Sequence, residues 1–155
     1  MKRVDREITD KNEILDVLKR CDVLRVGMIG DGAPYVVPVS FGLAEGEATP
    51  VLYFHCAKAG MKLDCLRQSP KVCVEGDICH GVTPTANGIT TRYESVIGFG
   101  TAEPVSGEEK ILGLKRILEH YGHSDYPLDR CRGLERTEVV RIVLSELTGK
   151  RNLPE

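Results

Sequence analysis

Six cysteines are spread through this 155-residue chain, yet no two of them form a C-x-x-C pair. The spacing that most zinc sites and thiol–disulfide centres require is therefore missing. No apolar run approaches the roughly 20 residues that a spanning helix needs, so no helical membrane protein is expected. The opening MKRVDREITD has basic residues but no apolar segment behind them, and it does not read as a secretory signal. Net charge is nearly absent too: 21 Lys and Arg against 23 Asp and Glu give −2. That balance offers no general attraction to nucleic acid or to an anionic membrane surface. The sequence has no G-x-G-x-x-G fingerprint, no strict strand–helix alternation, no internal repeat and no low-complexity tract, so a Rossmann domain is not expected. These absences leave an ordinary cytoplasmic protein, one domain over residues 1–155, whose thiols stay reduced.

What is present reads as strands with helices set between them. A helix occupies the N-terminal segment 1–20, with Asp10 as N-cap, Glu13 three residues on, and Ile14, Val17 and Leu18 with Leu15 as its apolar side. Cys21–Met28 and Tyr35–Phe41 read as a hairpin about Gly30-Asp31-Gly32. Gly42–Pro50 reads as a loop, Val51–His55 as a third strand and Lys71–Asp77 as a fourth. Cys73 is expected to face the core, because KVCVEGD alternates. Residues 78–90, rich in Gly, Pro, Thr and Asn, read as a loop serving as a lid or a partner-contacting excursion. Thr91–Ala102 is a long strand in which Gly98 and Gly100 suit a bend or bulge. A helix over 108–121 carries Ile111, Leu112, Lys115 and Leu118, and Glu138–Leu147 is the last strand. Six strands mostly in hairpin order imply a mainly β, six-stranded antiparallel barrel with peripheral helices.

Most of the chemistry gathers in LYFHCAKAGMKLDCLRQSPKV, Leu52 to Val72. A strand ends at His55, a Gly-containing turn follows, and Lys62 falls in the first turn of a short helix. Free N–H groups, the positive end of a helix dipole and a lysine together make a ready anion site. An ordinary strand-to-helix connection would look similar, and His55 beside the cradle is what favours a phosphorylated cofactor. Pro38, which cannot donate a ladder bond, marks its strand as an edge or as one with something other than a strand alongside. Cys73, Cys79, His80, His120 and His123 match no standard zinc spacing, so no metal is expected. His120 and His123 read as solvated cations at a helix end, and most of the cysteines as small buried apolar residues.

The stretches YVVPVSFGL, LYFHCAKAGMKLDCLRQSPKVCVEGD and YESVIGFGTAE, with the ending ELTGKRN, resemble the pyridoxamine 5′-phosphate oxidase-related FMN-binding split barrels. The nitroimidazole-resistance (Nim-type) branch is the nearest. The resemblance implies a homodimer with FMN at the subunit interface. Val37, Pro38, Val39 and Ser40 would run beside the flavin ring. His55 and Cys56 would lie against it, where the oxidases usually have tyrosine and threonine. Lys62 matches the family's phosphate-binding lysine, although Met61 stands where arginine commonly precedes it. Tyr93, Ser95 and Val96 would approach the ring from the other subunit.

True oxidases carry an R-x-V-L-L-K pattern whose Arg and Lys positions are here Val37 and Gly42. They also end in a segment containing arginine and tryptophan, whereas this chain has no tryptophan. Losing those cationic contacts weakens binding of a second phosphate, so vitamin B6 oxidation is disfavoured. The expectation is an FMN-dependent oxidoreductase passing electrons from a small-molecule donor to a nitroaromatic or similar acceptor, with His55 as catalytic proton or hydrogen-bond donor. His55 as mere packing is an equal alternative, and Cys56 reads as a small residue packed at the flavin. A second reading is a non-catalytic haem- or flavin-binding split barrel. A third, a dimer that has lost its cofactor, is opposed by Lys62.

Overall fold

The computed structural model describes residues 3–44 and 49–154. After a two-residue strand β1 (Glu7–Ile8), helix α1 runs over Lys11–Arg20, followed by β2 (Leu24–Gly30), β3 (Ala33–Val39), β4 (Phe41–Ala44) and β5 (Val51–Ala57). Helix α2 (Met61–Gln68), β6 (Lys71–Thr85), β7 (Gly88–Val105), α3 (Gly107–His120) and β8 (Thr137–Asn152) complete the order. Every pairing is antiparallel, along the path β3-β2-β6-β7-β8-β5-β4, with β1 added to β8. The result is mainly antiparallel sheet with three α-helices, a split barrel rather than a closed one, with eight strands where six were expected because β1 is added and the second strand breaks at Ser40.

Local chemistry accounts for most element ends. The Asp10 carboxylate accepts from the N–H groups of Asn12 and Glu13 at 2.7 and 3.3 Å, capping α1. Glu13 does not complete a capping box and instead pairs with Arg151 at 2.9 Å. Asp31 and Gly32 both take positive φ, 49° and 76°, the two-residue turn whose twist suits a tight hairpin. Ile14, Val17 and Leu18 of α1 enter the main core with Leu24, Val26, Phe41, Leu52, Phe54, Val74, Val96, Ile142 and Leu144. A smaller cluster of Tyr53, Val105, Ile117 and Val139 lies beneath α3.

Several expectations are corrected. Segment 78–90 is not a loop: β6 and β7 continue as one long hairpin to a turn between Thr85 and Gly88. Alternating Thr and β-branched residues carry the strand pattern through its glycines. A register shift at His80, with Gly81 at φ 100°, bends the ladder. The expected strand 35–41 breaks at Ser40 into β3 and β4, so Gly42–Ala44 are strand; the remainder of the expected 42–50 loop includes 45–48, outside the described residues. The shift near Phe99 and Gly100 agrees with the bulge expected there. Cys73 does not face the core: Val72, Val74 and Gly76 do, which turns Cys73, Glu75 and Asp77 to the outer face. On α3 the buried positions are Gly113 and Ile117, while Leu112 is exposed. Gly113 sets that face, because a side chain there would collide with Tyr53 and Val139.

Candidate functional site

The barrel is split where β3 becomes β4. These two strands end the sheet path, joined covalently through Ser40 but not paired with each other. Tyr35, Val37 and Val39 turn toward the core, leaving Val36, Pro38 and Ser40 exposed. Because β3 pairs only with β2, its other edge keeps free backbone groups, and Pro38 is tolerated there.

Strand β5 pairs with β4 on one side of the split. It buries Leu52, Tyr53 and Phe54 consecutively, since α3 covers one face and the main core the other. Phe41 pairs with Phe54, so Ser40 and His55 are the next residues along the two strands. His55 is exposed, whereas Cys56 is half-buried and packed on the core. Burial pushes the Cys56 thiol upward, the charge of Lys62 pulls it down and Glu138 raises it. That balance favours a neutral packing thiol over a reactive thiolate, and it puts the Lys62 charge within reach of the end of β5.

Helix α2 starts at Gly60, whose φ of 126° few other residues adopt and which supplies no capping side chain. Space is open where a Cβ would stand. Carbonyl oxygen Gly60 O accepts from the N–H groups of Leu63 and Asp64 at 3.0 and 3.2 Å, which leaves the earlier N–H groups to an outside acceptor. Lys62 is half-buried and has no ion-pair partner among the described residues. An uncapped helix start, an unpaired ammonium, a free strand edge and an exposed histidine suit a group that has an anionic tail and a flat polar ring. The donor set fits a flavin mononucleotide.

Tyr93 and Ser95 are not part of this assembly within one chain. They lie half-buried on the outer face of β7, with β6 and β2 between them and β3, about 14 Å at ordinary strand spacing. Val96 is 1% exposed and its side chain is committed to the core. His120 does not stand free in solvent as expected: its Nε2–H donates to the Cys21 carbonyl at 2.8 Å and its ring lies 4.2 Å from that of Phe41. His123 is exposed. Among the described residues no group of three His, Cys, Asp or Glu side chains is placed to hold a metal.

A family profile for pyridoxamine 5′-phosphate oxidase matches residues 10–151. The chain belongs to that family. No curated protein matches it. Among solved structures, it is similar to a candidate 5-nitroimidazole antibiotic resistance protein from Bacteroides thetaiotaomicron, 27% identical over 93% of this chain and 85% of that one, with a TM-score of 0.82. The flavocytochrome Anf3 of Azotobacter vinelandii is 20% identical over 99% of this chain and 72% of its own, TM-score 0.79. An FAD- and haem-binding protein of Mycobacterium smegmatis is 19% identical over 97% and 76%, TM-score 0.80. The last two likenesses show the fold.

Against the family pattern, Gly42 gains a physical meaning. A Cβ at Gly42 would run into the backbone of Arg116 and Ile117, so α3 lies directly on β4. Sequence reasoning also missed the outer face of the β3-β2-β6-β7 sheet, where Val36 (59% exposed), Ile97 and Phe99 (51%) stand in the open. A shallow groove of ≈ 580 Å³ there is walled by Gly27, Ile29, Pro34, Val36, Cys73 and Phe99. The alternation of Ile97 and Phe99 with glycines signalled it.

Proposed function

We propose that this protein is a homodimeric, FMN-dependent reductase of nitroaromatic or similar small electron acceptors. The observation that carries the reading is that Lys62, in the first turn of the uncapped α2, lies near Cys56 at the end of β5, where His55 and Ser40 directly follow the Phe41–Phe54 pair beside the end of β3. Lys62 and the N–H groups of the first α2 turn hold the phosphate. The backbone of Val37–Ser40 would offer donors and acceptors to the polar part of the ring, and Cys56 would be a small packing residue at the site. When bound, FMN supplies the hydride and electron chemistry that no side chain of this chain can. His55 gives a proton or hydrogen bond to negative charge developing on the acceptor, from a position open to solvent.

The outer apolar face is where a second copy docks. Isolated apolar residues are ordinary on a surface, but Val36, Ile29, Ile97 and Phe99 form one patch. Arg25, paired with Glu75 at 2.9 Å and with Asp77, gives the patch an ion-paired rim. Docking there brings the partner's outer face of β7, with the Tyr93 and Ser95 positions, toward this chain's split. Six free thiols suit the reducing cytoplasm.

Vitamin B6 phosphate is disfavoured as substrate, since Gly42 cannot carry the family's lysine against α3. The test is an absorption spectrum of freshly purified protein, with the released chromophore identified by mass spectrometry, followed by FMN titration of the apoprotein. Bound FMN with acceptor-dependent reoxidation by nitroimidazoles supports the reading. A Soret band turns it toward haem binding, and failure to bind added FMN defeats it.

A further inference from the structure

The split is held from behind by a cluster that none of the flavin-facing residues includes. Helix α3 ends in a glycine-terminated motif: Gly122 takes φ 75°, its N–H donates to the Glu119 carbonyl at 3.0 Å, and His123 N–H donates to Leu118 at 2.8 Å. This fixes Tyr121 as the C-cap. Its hydroxyl donates to the Asp22 carbonyl at 2.7 Å and accepts the Phe41 N–H at 3.4 Å. The neighbouring His120 donates to the Cys21 carbonyl and its ring packs at a tilt against the Phe41 ring. Two consecutive side chains of α3 thus grip two consecutive carbonyls of the α1–β2 connection, and both also touch Phe41.

Phe41 is the first residue of β4, directly after Ser40, at the one place where no ladder joins the two ends of the sheet. Pairing with Phe54 locates Phe41 from one side only. We infer that Tyr121 is a positioning residue for the flavin site: it fixes the backbone of the Ser40–Phe41 joint and so sets the gap between the β3 edge and His55. This rests on the flavin reading above. A phenol suits the task because one hydroxyl both donates and accepts, serving Asp22 and Phe41 together.

The experiment compares Tyr121→Phe with Tyr53→Phe by FMN titration and by visible absorption and circular dichroism of the bound flavin. Tyr53 donates to Glu109 at 3.2 Å and anchors the same helix, but away from the joint. The expected result for Tyr121→Phe is FMN affinity lower by about tenfold, with an altered visible spectrum, when the part-buried Phe41 N–H loses its acceptor and is no longer tied to Asp22. Tyr53→Phe keeps wild-type affinity and spectrum even if its thermal midpoint falls. Equal effects of the two variants, or none from Tyr121→Phe, overturn the inference while leaving the flavin site standing. Wild-type protein that binds no FMN overturns both. Should Tyr121→Phe not fold, hydrogen exchange of wild type decides: FMN is expected to slow exchange at Cys21–Val23 as well as at 37–41. Protection confined to 37–41 rejects the coupling.

Discussion

Replacing Glu94 by glutamine tests the energetics of the frame that carries β7. Glu94 is 5% exposed. Its two oxygens accept from Nη1 and Nη2 of Arg20 at 2.8 Å each, and Oε2 also lies 3.0 Å from Nε2 of His80. The Arg20 hydrogen bonds, with a smaller contribution from His80 and against the cost of burial, hold this carboxyl at about 2 rather than its ordinary 4.5. At 1.36 kcal/mol per pH unit the linkage amounts to at most about 3 kcal/mol. Arg20 is 49% exposed, so solvent screening reduces the contribution to about 1–2 kcal/mol. Glu94→Gln loses the bidentate acceptor and turns an amide N–H₂ toward the guanidinium, and its thermal midpoint is expected to fall by about 3–6 °C at pH 7. The folded-state pKa is depressed, so the wild-type advantage is complete above the unfolded value near 4.5 and disappears as the pH drops toward 2. Urea unfolding at fixed protein concentration, from pH 7 to pH 3, reads the difference between the two proteins directly. A gap that stays constant across that range, or no gap at pH 7, would refute the argument.

Lys62→Glu is expected to lower FMN affinity by about a hundredfold, because a charge-assisted contact is replaced by repulsion; flavin retained at wild-type strength in a fluorescence titration removes the phosphate assignment. For His55→Ala, FMN should remain bound while acceptor reduction slows at least about tenfold, and unchanged turnover in stopped-flow reoxidation would reduce His55 to packing. Phe99→Glu puts a charge in the centre of the outer apolar face and is expected to give monomers in sedimentation velocity. A dimer that survives it uses another surface.

The strands with clear alternation were legible, as were the α1 cap and the glycine-led start of α2 with Lys62 in its first turn. Each rests on chemistry within a few residues: Asp10 with its own helix, Gly60 and Lys62 with theirs. The hairpin over 78–90 was not legible as strand, because glycine and proline signal turns wherever they occur and only cross-strand pairing overrules them. Nor was the inward face of β6, since KVCVEGD alternates equally well in either orientation. What sequence could not reach was long-range. Arg20 and Glu94 meet across α1 and β7, and the Tyr121 hydroxyl meets Phe41 and Asp22 from α3; no local pattern announces such pairs. The split itself depends on Ser40, a single residue inside what reads as one continuous strand.

Gly42 ties the fold to the choice of substrate. Because β4 is covered by α3 with backbone against backbone, position 42 is closed to any side chain. The family's lysine could be restored there only by lifting α3, and lifting α3 would also displace Ile117 and Tyr121 from the core and the joint. Two properties are thus linked through one helix: a chain that seats α3 this closely gains a rigid Ser40–Phe41 joint and gives up a cation that would hold a second phosphate. Val37 completes the point, since its side chain packs on the core where the oxidase pattern has arginine. A site whose one cation is Lys62 at α2, with apolar or absent side chains at both of the other positions, agrees with the proposal of one cofactor phosphate and an uncharged acceptor.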